Sequence, residues 1–295
     1  MGMFMESAGT TIRCRIEPNI TGIGHKTYGD TELFANPNAM CIMITPTDYH
    51  SKAKIPMERR LNTRHRARTT PEQIALREKV RGVWQGTTWQ GYFEKARAFA
   101  LFLKSQGFMP GDKLIIASDG TPEWFFADLA AQSLGGVTVG IYPTNPWPEL
   151  QYIARHCRAK IAVCGDQEQT DKVLTAMQQE GGLPDMKRVL TVDWKGMRQY
   201  TENCLMSFND ALAEGSRLAG DAAQVASYEQ TIDGLRAEQD ALIVYTSGTT
   251  GMPKGARLSH RGILSDAWAL GQVHGFAGKT CRWSATCRFA MWPNA

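Results

Sequence analysis

LIIASDGTPEWFFADLAAQSLGGVTVGI, residues 114–141, decides the fold. Leu114–Ala117 is a short apolar run of the buried-strand kind, Pro122–Leu134 reads as a helix closed by Gly135-Gly136, and Val137–Ile141 is a second apolar strand. The alternation continues downstream. A helix is predicted over Pro148–Cys157 after a proline-rich loop, a strand over Lys160–Cys164, a helix over Gln167–Gln179 and a strand over Val189–Val192. Parallel neighbours cannot be joined by a tight turn and need a crossover, which strands alternating with helices at this spacing supply. The expectation is an α/β fold, with parallel sheet layers flanked by helices.

Upstream, Thr88-Trp89-Gln90-Gly91-Tyr92 opens a helix with Tyr92, Ala96, Phe99, Ala100 and Leu103 on one face, ended by Gly107 and the turn Pro110-Gly111-Asp112. Thr69-Thr70-Pro71-Glu72 has the form of a helix start leading into Gln73–Leu76. Residues 1–56 show no sustained period beyond a short apolar piece at Cys41–Ile44, and read as an irregular N-terminal extension or a poorly ordered tail. Downstream, residues 195–239 are polar with a short helix predicted at Phe208–Ala213, and Asp240 introduces an apolar strand at Ala241–Tyr245.

The bulk numbers narrow the function classes. With 295 residues, 43% hydrophobic and 21% charged, the chain is in the globular range and can bury a real core. A net charge of +4 with scattered cations argues against nucleic acid as a partner. No apolar run approaches the roughly 18 residues of a membrane span, and Met1–Arg15 lacks the apolar core of a secretory signal. Cys14, Cys41, Cys157, Cys164, Cys204, Cys281 and Cys287 form no C-x-x-C and no metal-ligand spacing. They read as reduced thiols of a cytoplasmic protein, for which contact with a membrane surface to collect lipid stays open.

The strand at Ala241–Tyr245 runs into Tyr245-Thr246-Ser247-Gly248-Thr249-Thr250-Gly251-Met252-Pro253-Lys254-Gly255, which places four hydroxyl residues, three glycines and a lysine within ten positions. Glycines let the backbone turn tightly and bring N–H groups close to an anion. Hydroxyls donate to phosphate oxygens or help hold Mg²⁺, and the lysine adds a point charge. A flexible Ser/Thr/Gly linker needs neither Pro253-Lys254-Gly255 nor an apolar strand before it. A Walker A loop fails as well, because Lys254 follows Pro253 and precedes Gly255 instead of forming Gly-Lys-Ser/Thr.

This stretch resembles the signature phosphate loop of the AMP-forming, adenylating ligase superfamily. Leu76–Lys79, Val83–Gln85 and Thr88-Trp89, together with Asp119–Trp124, Gly135–Thr144 and Asp166–Leu174, resemble long-chain fatty acyl-CoA synthetases over Met57 to Gly278. The resemblance implies a two-step acid:CoA ligase using ATP, Mg²⁺, a fatty acid and coenzyme A. The acid is first converted to an acyl-adenylate with release of pyrophosphate, and the thiol of coenzyme A then displaces AMP. It also implies that Thr246, Ser247, Gly248, Thr249, Thr250, Gly251 and Lys254 handle the ATP phosphates and that Thr246 lies near Mg²⁺. Lys254 is then not the lysine of the adenylation step, which such enzymes carry far downstream. A fatty acyl-AMP ligase serving a carrier protein, and a non-catalytic nucleotide-binding remnant, are the alternatives. Weaker candidates have plainer readings: His260 as a helix-start residue, His156 and Cys157 as a helix end needing no function, and Trp124, Phe125 and Phe126 as core.

The domain reading is an extension over 1–56, an incomplete N-terminal AMP-binding domain over 57–278, and an aberrant tail over 279–295. The family's key catalytic residues would lie beyond Ala295, so catalytic positions are unknown. The tail can be read against the genetic code. Joining the third base of each codon to the next two turns Met291-Trp292-Pro293 into Val-Ala, within a permitted string Leu-Pro-Leu-Cys-His-Val-Ala-Glu-Arg. That string resembles what long-chain acyl-CoA synthetases carry shortly after the phosphate loop, so a frameshift near Gly278 is expected. A chain ending there would leave strand edges and apolar faces uncovered and would not form acyl-CoA alone.

Overall fold

The computed structural model describes residues 7–8, 11–12, 62–248 and 251–273. The expectations for the rest of residues 1–56 and for the tail over 279–295 lie outside the described residues. Ser7–Ala8 (β1) and Thr11–Ile12 (β2) pair antiparallel in a compact unit separate from the one described below.

Among the described residues the main unit begins with a helix, Asn62–Thr69 (α1), and here one expectation is overturned. Thr69–Glu72 does not start a helix. α1 ends at Thr69, and Ile74–Val80 (β3) pairs antiparallel with Val83–Thr88 (β4). Two consecutive left-handed residues, Arg81 (φ 48°) and Gly82 (φ 86°), close this hairpin with Val80 opposite Val83. That is the backbone a two-residue hairpin turn requires, and glycine at its second position carries no Cβ cost. The carbonyls of Pro71 and Gln73 accept from the amides of Gln90 and Trp89, the first amides of the next helix. A helix over 73–76 would need the same groups, so tertiary pairing overrides the local start signal.

That next helix, Trp89–Ser105 (α2), begins where the sequence predicts. Thr88 Oγ1 accepts from the Gly91 amide at 3.1 Å, capping one otherwise orphaned donor. Its predicted face (Tyr92, Ala96, Phe99, Ala100 and Leu103) is buried.

The alternating elements follow the predicted order closely: Lys113–Ala117 (β5), Pro122–Ser133 (α3), Val137–Ile141 (β6), Trp147–Cys157 (α4), Ala159–Cys164 (β7), Gln167–Gln178 (α5) and Arg188–Thr191 (β8). Beyond β8 the polar stretch holds more structure than its composition suggests: Leu205–Ser207 (β9), Phe208–Leu218 (α6) and Ala222–Asp233 (α7). Ser207 Oγ caps α6 at the Asp210 amide, and an Asp221 carboxylate oxygen caps α7 at the Ala223 amide. Each helix buries a narrow stripe, Phe208, Ala211 and Gly215 in α6, Tyr228 and Ile232 in α7, which leaves the other positions half-buried or exposed. Arg64 of α1, 4% exposed, ties that helix to α7 through Glu229 (2.7 Å) and Asp233 (2.8 Å).

Asp240–Gly248 (β10), Gly251–Ser259 (β11) and His260–Val273 (α8) complete the described chain. The seven-stranded sheet has the order β11-β10-β6-β5-β7-β8-β9, parallel except for β11. β5 alternates between two cores. Leu114 and Ile116 meet a cluster built on α2, α3, α6 and α7, whereas Ile115 and Ala117 meet α4 and α5. Burial on both faces explains why these strands read as continuous apolar runs. From β5 the chain winds to β6 on one side, then crosses back to β7 and outward to β9, a doubly wound topology.

Burial leaves a signature in alkali. The Tyr228 phenol is pushed from an ordinary 10.0 up to about 12, and the thiols of Cys157 and Cys164 from 9.0 up to about 12, in each case chiefly by burial. The folded chain therefore holds these protons where the unfolded chain releases them. The stability they contribute is full below pH 9.0 and is lost as pH rises toward about 12. Melting midpoints followed by circular dichroism are expected to fall steadily across that window, and a flat profile would contradict the assigned burial.

Candidate nucleotide-phosphate site

β10 starts in the core, where Ala241, Leu242 and Ile243 are buried and Leu242 and Ile243 pair with Thr138 and Val139 of β6. Pairing with β6 ends at Ile243, and from there, among the described residues, β11 is the strand that pairs with β10. Because β10 runs parallel to β6, this arm leaves at the carboxyl end of the sheet, the edge where open α/β sheets bind ligands.

The expected phosphate loop is a β-hairpin for most of its length. Tyr245 lies opposite Gly255, Thr246 opposite Lys254 and Gly248 opposite Gly251, with an irregularity between Thr246 and Gly248. Thr249 and Thr250, between the two glycines, lie outside the described residues, and Ser247, Gly248 and Gly251 are described as strand backbone only. Of the predicted phosphate-handling residues, Thr246 and Lys254 are thus brought together as a cross-strand pair. Directly opposed residues project on one face, so a hydroxyl and an ammonium stand side by side, and both are exposed. Among the described residues Lys254 has no ion-pair partner. Nearby cations are engaged: Arg257 bonds Asp240 through Nε at 2.7 Å, and Arg261 pairs with Glu238. An unpaired ammonium beside a hydroxyl and glycine amides suits an anion rich in oxygens.

Among the described residues no group of three or more His, Cys, Asp or Glu side chains could hold a metal ion. Magnesium carried on a nucleotide keeps its waters and substrate phosphates and needs only one or two protein oxygens. Thr246 can offer one.

The other candidates fall where their plainer readings put them. His260 opens α8, is 5% exposed, and donates its amide to Gln239. Trp124, Phe125 and Phe126 are buried in the core cluster with α2. Cys157 and Cys164 lie in the core, where burial pushes both thiols up to about 12 and disfavours the thiolate. Sequence reasoning missed one group: His156 Nδ1 stands 2.6 Å from the Tyr245 hydroxyl, across 89 positions of chain. Nothing local in the sequence marks that pairing.

Comparison with known proteins agrees with this architecture. Residues 63–290 match the family described as AMP-binding enzyme. A long-chain-fatty-acid–CoA ligase of Xenopus laevis is 30% identical over 202 residues, which is 68% of this chain and 26% of that protein. A long-chain-fatty-acid–CoA ligase of Mycobacterium bovis is 30% identical over 200 residues, 68% of this chain and 30% of that protein. The chain thus spans 26–30% of the length of these curated relatives. Among solved structures, a Mycobacterium tuberculosis fatty acyl-CoA synthetase has a TM-score of 0.51 at 20% identity, covering 67% of this chain and 34% of that one. An acetoacetyl-CoA synthetase from Streptomyces lividans reaches 0.56 at 18% identity, covering 72% and 32%. These two structures share the fold. With the family match spanning most of its length and carrying the glycine- and hydroxyl-rich hairpin, the chain belongs to the AMP-binding enzymes.

Proposed function

We propose that the hairpin Thr246–Lys254 holds the β- and γ-phosphates of Mg·ATP, as part of an ATP-dependent ligase that joins long-chain fatty acids to coenzyme A. The pairing of Thr246 with Lys254 on an arm at the carboxyl edge of the sheet carries this reading. The long-chain acid class and coenzyme A come from the relatives' names.

The chemistry sets the demand on the hairpin. A carboxylate oxygen attacks the α-phosphorus, a P–O–C bond to the acid forms, and the bond to the bridging oxygen of pyrophosphate breaks. The thiol of coenzyme A then gives up its proton to solvent as its sulfur attacks the acyl carbon; a C–S bond forms, the C–O bond to the phosphate breaks, and AMP leaves with that oxygen. In the first step an anion approaches a polyanion while negative charge builds on the departing pyrophosphate. Fixed donors at the β- and γ-phosphates stabilise that charge. The Lys254 ammonium, the Thr246, Ser247, Thr249 and Thr250 hydroxyls and the Gly248 and Gly251 amides are the donors of this set, and Thr246 would offer an oxygen to the Mg²⁺ of Mg·ATP. Their part is to bind and orient phosphate; none of them attacks the acid.

A hairpin built for the β- and γ-phosphates discriminates by tail length. Calorimetry on the 295-residue protein is expected to give Mg·ATP an affinity at least about tenfold above that of AMP, the value of one charge-assisted contact. Equal affinities would remove the triphosphate reading.

A further inference from the structure

We infer that His156 is a positioning residue for the phosphate hairpin, acting through the Tyr245 hydroxyl. The inference rests on the ATP reading above.

Tyr245 immediately precedes Thr246 and turns the other way. Thr246 is exposed, whereas Tyr245 is 5% exposed and joins Ile243 in the apolar cluster with α4. On one side its ring lies across Gly255. A Cβ at Gly255 would stand 3.1 Å from Tyr245 Cζ and 3.4 Å from Cε1, so the missing side chain is the room the ring occupies. The ring therefore rests on the backbone of β11 one residue from Lys254. On the other side Tyr245 Oη is 2.6 Å from His156 Nδ1, with the rings edge to face at 5.7 Å and 85°. His156 in turn stacks on Tyr152, one helical turn earlier in α4, at 5.7 Å and 21°.

Tyr152, His156 and Tyr245 thus run from α4 to both strands of the hairpin. They meet the hairpin where it needs an anchor, since β10 has lost β6 as a neighbour after Ile243. Burial raises the pKa of Tyr245 above the ordinary phenol value, so the phenol keeps its proton and can donate it to Nδ1 of His156. Nδ1 accepts in the tautomer that carries its ring proton on Nε2; in the other tautomer the phenol oxygen accepts from Nδ1–H. His156 is itself exposed, and among the described residues no hydrogen bond or ion pair joins it to Thr246 or Lys254, so its influence passes through Tyr245.

Mg·ATP binding to the 295-residue protein tests this, with His156→Leu, Tyr245→Phe, the double variant and His156→Asn. Tyr245→Phe keeps the ring and removes only the hydroxyl, so it remains informative if His156→Leu disturbs α4. Asparagine sets an amide oxygen near the position of Nδ1 and can still accept. His156→Leu and Tyr245→Phe are each expected to raise the Kd about fivefold, the value of one hydrogen bond. The double variant should lose no more than either, and His156→Asn should stay within about twofold of wild type. Wild-type binding by both His156→Leu and Tyr245→Phe, an effect of one partner without the other, or losses that multiply in the double variant would each overturn the inference. A wild-type protein that does not bind Mg·ATP would instead remove the phosphate reading beneath it.

Discussion

Gly215→Ala is expected to destabilise the protein by about 3 kcal/mol, against the sign that helix propensity alone gives. Alanine in a helix interior is better than glycine by about 1 kcal/mol, so propensity predicts a gain. Packing predicts the reverse. α6 crosses α2 at Gly215, where an added Cβ would run into the Ala98 carbonyl, with its carbon at 2.5 Å and the Ala98 Cα at 3.2 Å. Helix backbone cannot swing aside as a side-chain tip can. α6 must lift, which loosens Phe208 from Phe99; those two rings, both fully buried, sit 4.6 Å apart. Gly234→Ala is the control, because its Cβ would meet only ordinary contacts at 3.5 Å in right-handed backbone. Urea denaturation should show a lowered midpoint for Gly215→Ala and a shift of under about 0.5 kcal/mol for Gly234→Ala. A stabilised Gly215→Ala would mean that α6 is not seated on α2 as described.

Lys254→Ala is expected to weaken Mg·ATP binding about 10- to 100-fold while leaving the melting midpoint unchanged. An ammonium on a phosphate oxygen is a charge-assisted contact of roughly 1.5–3 kcal/mol. Lys254 is exposed and has no ion-pair partner among the described residues, so its removal costs the fold little. AMP binding should change far less, because AMP lacks the phosphates the lysine would hold. Equal losses for ATP and AMP would place Lys254 elsewhere on the nucleotide, and no loss for either would remove it from the site.

How much of this was legible in the sequence varies with how local the controlling physics is. Strands β5 to β8 are buried on both faces by helices, so Leu114–Ala117 and Lys160–Cys164 announce themselves as apolar runs. Thr88 and Gly107 mark the limits of α2 by capping and turn chemistry, which are also local. The β3–β4 hairpin was hidden because Thr70-Pro71-Glu72 carries a genuine helix-start preference, and pairing with β4 and with the first amides of α2 outweighs it. α6 was legible only as the short helix Phe208–Ala213, stopping before its end at Leu218, and α7 was hidden because it buries little beyond Tyr228 and Ile232 and so shows little apolar period. The phosphate hairpin could be read chemically, from hydroxyls, glycines and a lysine crowded together, but its β-ladder could not. The contact of His156 with Tyr245 needs the crossing of α4 over the end of β10, which no window of sequence contains.

The central claim is that the amides and side chains of Thr246–Lys254 receive the ATP polyphosphate. Titrating Mg·ATP into isotope-labelled protein while following backbone amide resonances tests it at the atoms concerned. The largest shifts are expected at Thr246 to Lys254, with small ones at β7 to β9 on the far side of the sheet. A titration in which the hairpin amides stay still while amides elsewhere move would contradict the account.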